Sequence, residues 1–266
     1  MSAEARTPAL RRWRAALAAA LLWVPALVRA DPQSVYLEDL TWPEVREAIE
    51  QGKTTAIYYA GSTEQNGPHM ALGKHNVIAH YLAGRVARKL GDALVAPVLP
   101  FAPTGEHMRY PGTVTLSDAT FAAVAREVGT SMFSAGFRVV CFMGDHGGGQ
   151  EALKQVAAEL DREWWSRGRR AYYIGDAYYK AEAEIHAYLV QKKLPPGAHA
   201  GIEDTSQLMF LDRGHKWVRR DKLAQASEQL GVDGDPRRAS ASLGRAMLDI
   251  KVNAAVAQIE SLVRKP

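Results

Sequence analysis

Four apolar runs, at residues 55–60, 94–99, 138–143 and 171–174, are separated by segments whose apolar side chains recur at helical spacing. That alternation constrains the fold more than any other feature, because strands joined by helical crossovers build a parallel sheet with helices on its faces. Between the second and third runs, Ser117 or Asp118 stands where a helix cap is needed. The helix that follows carries Phe121, Val124, Val128 and Met132 on one face and stops near Gly136. Further helices are expected over 150–167, 180–193 and 239–262, the last with Leu243, Met247, Ile250, Ala254 and Ile259 as its buried stripe. Residues 231–238 (GVDGDPRR) read as a surface loop, and no internal repeat or low-complexity block is seen. With 47% hydrophobic residues in 266, the expectation is a single α/β domain over 31–266.

The net charge of +4 invites a nucleic-acid reading until it is located. Arg6, Arg11, Arg12, Arg14 and Arg29, with Glu4 as the one acid, fall in the first 30 residues, and the rest of the chain balances 28 basic against 28 acidic residues. The front segment has a basic stretch (Arg11, Arg12, Arg14), an apolar run over 15–27, and Val28 and Ala30 just before Asp31. This is the layout of a secretory leader removed after Ala30. The run contains Pro25 and falls short of the ~20 apolar residues a spanning helix needs. A periplasmic or secreted protein is expected, one that acts on a small molecule and partners neither nucleic acid nor membrane once the leader is cut. Cys141 is the single cysteine, so no intrachain disulfide forms, and its apolar neighbours mark it as a buried strand residue rather than a nucleophile.

Two of the runs end directly in polar, glycine-rich segments: Tyr59-Ala60 leads into GSTEQNGPH, and Phe142-Met143 into GDHGGGQ. In open parallel sheets, ligands gather at the carboxyl ends of strands. A third segment, His199-Ala200-Gly201-Ile202-Glu203-Asp204-Thr205-Ser206, sets an imidazole and two acids before a helix-like run. Each segment alone has an ordinary explanation as a core histidine or a helix cap. Gly147-Gly148-Gly149 lacks the lysine and spacing of a phosphate loop, and no G-x-S-x-G string supplies a serine nucleophile. Trp164-Trp165, followed by Arg167, Arg169 and Arg170, suits packing at a helix end or an oligomer interface better than a nucleic-acid patch.

Taken together, G-S-T-E-Q-x-G-P-H at 61–69, the P-G-T of Pro111-Gly112-Thr113, the strand followed by G-x-H-G-G at 144–148, and H-A-G-x-x-D-T-S at 199–206 resemble the creatininase (creatinine amidohydrolase) family in order and spacing. The resemblance spans roughly residues 36–212, and the C-terminal fifty residues add nothing to it. It implies a three-layer αβα sandwich with a mostly parallel sheet, assembly as a homo-oligomer (a hexamer), and divalent metals at the strand ends that serve hydrolysis of an amide or cyclic amide. Glu64 and His146 match the family's ligands. Asn66 stands where the resemblance places a histidine, His75 where it places a bridging aspartate, and Gly148 where it places an acid.

These departures leave one metal position with three ligands, Glu64, His75 and His146. Two imidazoles and a carboxylate with an open corner suit zinc first, with manganese or iron as alternatives, and a water activated there attacks the substrate carbonyl. By the resemblance, His199 holds the place of a proton-shuttling histidine. Asp204 stands in place of a glutamate, with Glu203 beside it as the alternative functional acid or both as helix caps. Asp145 either orients an imidazole or faces solvent. Glu106, His107 and Tyr110, ahead of the P-G-T turn, are substrate-side candidates. His69 is expected to brace its loop, and Lys74 to point outward, because its ammonium would weaken a nearby cation's binding. The competing expectation is a non-catalytic periplasmic protein that uses this pocket to bind a small molecule or a metal without turnover.

Overall fold

The structure, a computed structural model, describes residues 34–263; the leader expected over 1–30 lies outside the described residues. Strands β1 (Thr55–Ala60), β2 (Ala93–Val95), β3 (Val139–Gly144) and β4 (Arg170–Tyr173) form a parallel sheet in the order β2-β1-β3-β4. β1 is buried along its whole length. Its alternation sends Ile57 and Tyr59 to one face and Ala56, Tyr58 and Ala60 to the other, each into its own apolar core.

Helices cover both faces. On the first lie α2 (Lys74–Leu90) and α7 (Ala241–Val263), which give Ile78, Leu82, Val86, Leu248 and Val252 to the core around Ile57. On the second lie α1 (Trp42–Glu50), α3 (Asp118–Ala135) and α4 (Gln150–Trp164), which pack Ala48, Phe121, Phe133, Leu153 and Leu160 around Tyr58 and Phe142. The result is the three-layer αβα sandwich with a parallel sheet that the sequence pattern implies. Two further helices, α5 (Tyr179–Gln191) and α6 (Ile202–Leu211), pack with α7. Gly244 makes the α6–α7 approach possible, because a Cβ there would collide with the Ser206 carbonyl.

Local chemistry explains most element ends. Thr41 and Glu44 form a capping box at the start of α1, and the Ser117 hydroxyl accepts from Thr120 N at the start of α3. Gly136, at φ +115°, closes α3. The expected α3 stripe is displaced: Phe121, Ala125, Gly129 and Phe133 are buried, while Val124, Val128 and Met132 flank them half-buried. The small residues win the central line because the helix lies tight on β3, where a Cβ on Gly129 would come within 2.7 Å of the Phe142 ring. Of the second apolar run only Leu94 and Val95 enter the sheet, as part of the three-residue β2, since Pro97 and Pro100 cannot donate to a ladder. The helix expected over 150–167 ends at Trp164 and tightens into a 3-10 turn, Trp165–Arg167.

The register places the candidate loops. Ala60 pairs with Gly144 across β1 and β3, and Asp145 N donates to Ala60 O at 2.9 Å. The segments after the two central strands therefore leave the sheet side by side. Residues 74–76, five positions past the first glycine-rich segment, form the opening turn of α2. The 231–238 segment is not simply a surface loop, because Val232 is buried and Asp233 bridges His199 through both backbone groups.

Candidate active site

At the carboxyl edge of the sheet, a 360 Å³ cavity is lined by His75, His107, His146 and His199 on one side and by residues of α5 and α6 on the other. Glu64, wholly buried after β1, is the hub of the first side. Its Oε2 accepts from Ser62 Oγ at 2.9 Å and Thr104 Oγ1 at 2.8 Å and lies 2.8 Å from His146 Nε2. Its Oε1 lies 3.0 Å from His75 Nε2 and 3.8 Å from His199 Nδ1. Burial works against this carboxylate's charge, but His75, His146 and Lys74 outweigh it and hold the group well below the usual carboxylate range.

His75 sits between two acids, its Nδ1 2.8 Å from Asp145 Oδ2 and its Nε2 on Glu64. Burial and Lys74 oppose its protonation, yet Glu64 and Asp145 raise its pKa above the ordinary value. With both ring nitrogens serving as N–H donors it has no lone pair for a cation. The ligand atoms that lie within 4.8 Å of one another are those of Glu64, His107 and His146. Sequence reasoning had put His107 on the substrate side and His75 in the ligand set. The spacing to Pro111-Gly112-Thr113 gave no warning that a 3-10 turn, Gly105–His107, turns this ring inward.

The other named residues divide cleanly. His199 Nε2 lies 3.0 Å from both Gln65 O and Gln65 Nε2, and its ring stacks on His107 at 4.4 Å. Burial and the Lys74 ammonium push His199 down to about 3, so the ring is neutral, with its Nδ1 facing Glu64. Asp145 does orient an imidazole, and its second oxygen accepts from Lys251 Nζ at 2.8 Å. Asp204 accepts from Lys74 Nζ at 2.6 Å and from Ala200 N at 2.8 Å. Glu203 lines the cavity and accepts from Gly197 N. Glu106 lines the cavity at its exposed rim, 4.0 Å from His146 Nε2. Tyr110 does not reach it, lining instead a separate recess with Arg109, Glu228 and Gln229. His69 braces the loop from a fully buried position, its Nε2 3.0 Å from Thr205 Oγ1.

Lys74 corrects a clear expectation. It points inward with a side chain 1% exposed, because Asp204 offers a half-buried carboxylate in the first turn of α6. Three acids, the buried Glu64 and Asp145 and the half-buried Asp204, are thus matched by three protein cations, His75, Lys251 and Lys74. Lys251 lies on α7, in the stretch that added nothing to the sequence resemblance.

Among the described residues, one set of donors converges on a point that a divalent cation fits. Glu64, His107 and His146 give one oxygen and two nitrogens at a common point. His146 Nδ1 accepts from Gly148 N at 2.9 Å, which turns Nε2 toward Glu64 Oε2 at 2.8 Å; a cation on Nε2 would require the ring proton to move to Nδ1 and the Gly148 bond to be given up. Around that point Asn66 Oδ1 is a buried oxygen without a partner, and the other candidates are engaged or absent. Asn66 turns its Nδ2 back onto the carbonyls of Glu64 and Ala71, His75 is held between acids, and the space beside Gly148 is filled by the Pro103 carbonyl.

An open parallel sheet whose carboxyl edge carries a buried glutamate among clustered imidazoles has the build of a metal-dependent hydrolase. The profile of one family, described as Creatininase: Creatinine amidohydrolase, matches residues 38–259, well past the end of the resemblance read from motifs. The chain belongs to the creatininase family and is an amidohydrolase of that metal-dependent kind. A mycofactocin precursor peptide peptidase from Mycolicibacterium smegmatis is 31% identical over 224 residues, covering 75% of this chain and 82% of the relative. A creatinine amidohydrolase from Pseudomonas putida is 28% identical over 119 residues, covering 43% and 45%. A solved creatinine amidohydrolase (creatininase) superposes with a TM-score of 0.71 at 20% identity, covering 88% of this chain and 100% of that one, which shows the shared fold. Solved creatininases include a manganese form and a zinc–zinc form.

Proposed function

We propose that this chain hydrolyses the C–N bond of a small amide or cyclic amide, with Glu64, His107 and His146 as the residues that hold one divalent cation, zinc before manganese or iron. The observation that carries this reading is the convergence of those three donors beside a small cavity that His107, His146 and His199 line, with Glu64 buried behind them. The relatives named above act, by their names, on a peptide precursor and on creatinine, which brackets the substrate between a peptide bond and a cyclic amide. The bound cation would supply Lewis-acid activation of carbonyl and water.

His199 is the proton carrier. Its Nε2 is engaged by Gln65 O and Gln65 Nε2, both at 3.0 Å, and its Nδ1, 3.8 Å from Glu64, is the ring atom placed to take a proton from water and pass it to the departing nitrogen. His107, stacked on it, and Gln65, whose Nε2 donates to Gly231 O at 2.8 Å, hold that orientation. Asp204 and Lys74 brace the loop that carries His199 through the Ala200 amide.

A second reading, a pocket that binds without turnover, is favoured by the internal match of three acids with three protein cations. One experiment separates the two: metal analysis of the purified protein and of His146→Ala, run beside an amide-hydrolysis assay. About one equivalent in the parent, almost none in the variant, and loss of hydrolysis on its removal are expected. Equal low occupancy in both would count against the hydrolase.

We further propose export with cleavage after Ala30, checked by N-terminal sequencing of the protein recovered from its native cells. Assembly into a homo-oligomer is proposed from the exposed Trp42 and Trp165, and sedimentation reads it directly. Among the described residues no helix is long and apolar enough to cross a membrane.

A further inference from the structure

The part of the cavity wall built by α5 and α6 presents mainly acceptors, Glu182, Glu203 and Gln207, beside the His186 ring. Glu203 Oε1 and Oε2 accept from one backbone amide, Gly197 N, at 2.9 and 3.1 Å. Its nearest cationic group is the ring of His186 at 3.6 Å, which is 41% exposed. Gln207, 2% exposed and also lining the cavity, donates its Nε2 to Glu203 O, and its Oε1 has no partner. Glu182 adds a further carboxylate from α5. The lysines nearby are spent, Lys74 on Asp204 and Lys251 on Asp145. A buried acceptor with no donor costs about 1–3 kcal/mol, so a ligand that brings the missing proton gains what the empty wall forgoes.

We propose that this wall is a recognition subsite for a compact organic cation, a protonated amine carried by the substrate, seated between the Glu203 carboxylate and Gln207 Oε1. The proposal rests on the hydrolase reading only in taking the same cavity as the substrate site. Burial raises Glu203 to about 7, with Asp204 and Glu182 adding to the rise against the pull of the Gly197 amide, which is the condition of an acid short of positive charge. A 360 Å³ cavity leaves room for a short chain between this wall and Glu64, so the cation is a handle and the amide is the reacting end.

The test is calorimetric titration of the full chain, as purified, with butylammonium, propylguanidinium and butan-1-ol at constant ionic strength. Butylammonium is expected to bind at least about tenfold more tightly than the alcohol, the yield of one charge-assisted hydrogen bond. Propylguanidinium binding at least as well as butylammonium would reassign the subsite to a planar cation and overturn the amine. In Glu203→Gln the preference over the alcohol should shrink to about twofold or less; Gln207→Met, which keeps the side-chain length, should also reduce it if Glu203→Gln fails to fold. Equal affinity of amine and alcohol, or a preference untouched by both variants, would overturn the proposal. A parallel assay compares 5-aminopentanamide with hexanamide. Retained cation binding with neither amide hydrolysed sinks the hydrolase and leaves the subsite, whereas hydrolysis of both at equal kcat/KM without cation preference does the reverse.

Discussion

Lys74 Nζ lies 2.6 Å from Asp204 Oδ2, and this ion pair ties the first turn of α2 to the first turn of α6 beneath the loop that carries His199. The lysine is 1% exposed and the aspartate 20%, so removing either partner leaves a charge with little water around it. Lys74→Met is expected to lower stability by about 3–5 kcal/mol, the usual cost of orphaning one half of a buried pair. Combining it with Asp204→Asn should recover much of that loss. Urea denaturation of the two single variants and the double variant gives the coupling directly, and additive losses would show that the pair is not a unit.

The same pair shows how far the sequence could be read. The fold was legible because β1 and β3 are uniformly apolar and end in glycine-rich segments, a pattern with few solutions. Glu64 and His146 were legible because each follows such a strand. Lys74 was not, because a lysine beside a histidine reads as a solvated residue until an acid 130 positions later is known to face it. Its helix was hidden too: α2 begins inside a polar string with no side-chain cap, so 74–76 looked like loop. The inward turn of His107, named from the sequence only as a substrate-side candidate, and the reach of Lys251 were hidden for a similar reason. A 3-10 turn has no periodicity, and a single lysine on an apolar helix signals nothing about the Asp145 it reaches. Long-range charge pairing is fixed by topology, which motif spacing does not encode.

Glu203 and Asp204, adjacent in sequence, should shape stability in opposite senses. Glu203 is raised to about 7 from an ordinary 4.5, so between those values the folded state binds more protons than the unfolded one. Its contribution is fully present below about pH 4.5 and is lost as pH rises toward 7. Asp204, which burial alone would raise, is held below the ordinary range chiefly by Lys74. Its contribution is present above about pH 4 and lost in acid. Thermal melts of the parent should therefore decline from pH 5 to 7. Glu203→Gln should flatten that decline and leave the acid limb intact; an unchanged decline would show that Glu203 titrates normally.

His75 and His107 make opposite predictions for cation binding. If His107 is the third ligand, His107→Ala should weaken zinc binding by at least about tenfold, while His75→Ala, which removes a cation from the pocket, should leave it unchanged or tighter. Competition with a chromogenic chelator reads both. A large loss in His75→Ala with none in His107→Ala would restore the ligand set first drawn from the sequence.

Gly148 tests whether the site can take a further ligand. The resemblance places an acid at this position, and the simplest repair would be Gly148→Glu. The geometry argues that repair will fail, because any Cβ at 148 collides with the Pro103 carbonyl and comes within 3.0 Å of the His146 ring. The backbone of the 101–104 segment cannot yield easily either, since Thr104 N is bonded to Thr115 Oγ1 and Thr104 Oγ1 to Glu64. Gly148→Ala alone is thus expected to cost about 1–3 kcal/mol in stability, the range for overpacking a tight site. It should also displace His146, lowering cation affinity without any change of ligand. Gly148→Glu should be worse in both respects. A Gly148→Glu variant that folds normally and holds two equivalents of zinc would mean that the Pro103 strand moves aside, and that the loss of the second position is a matter of one side chain rather than of the loop around it.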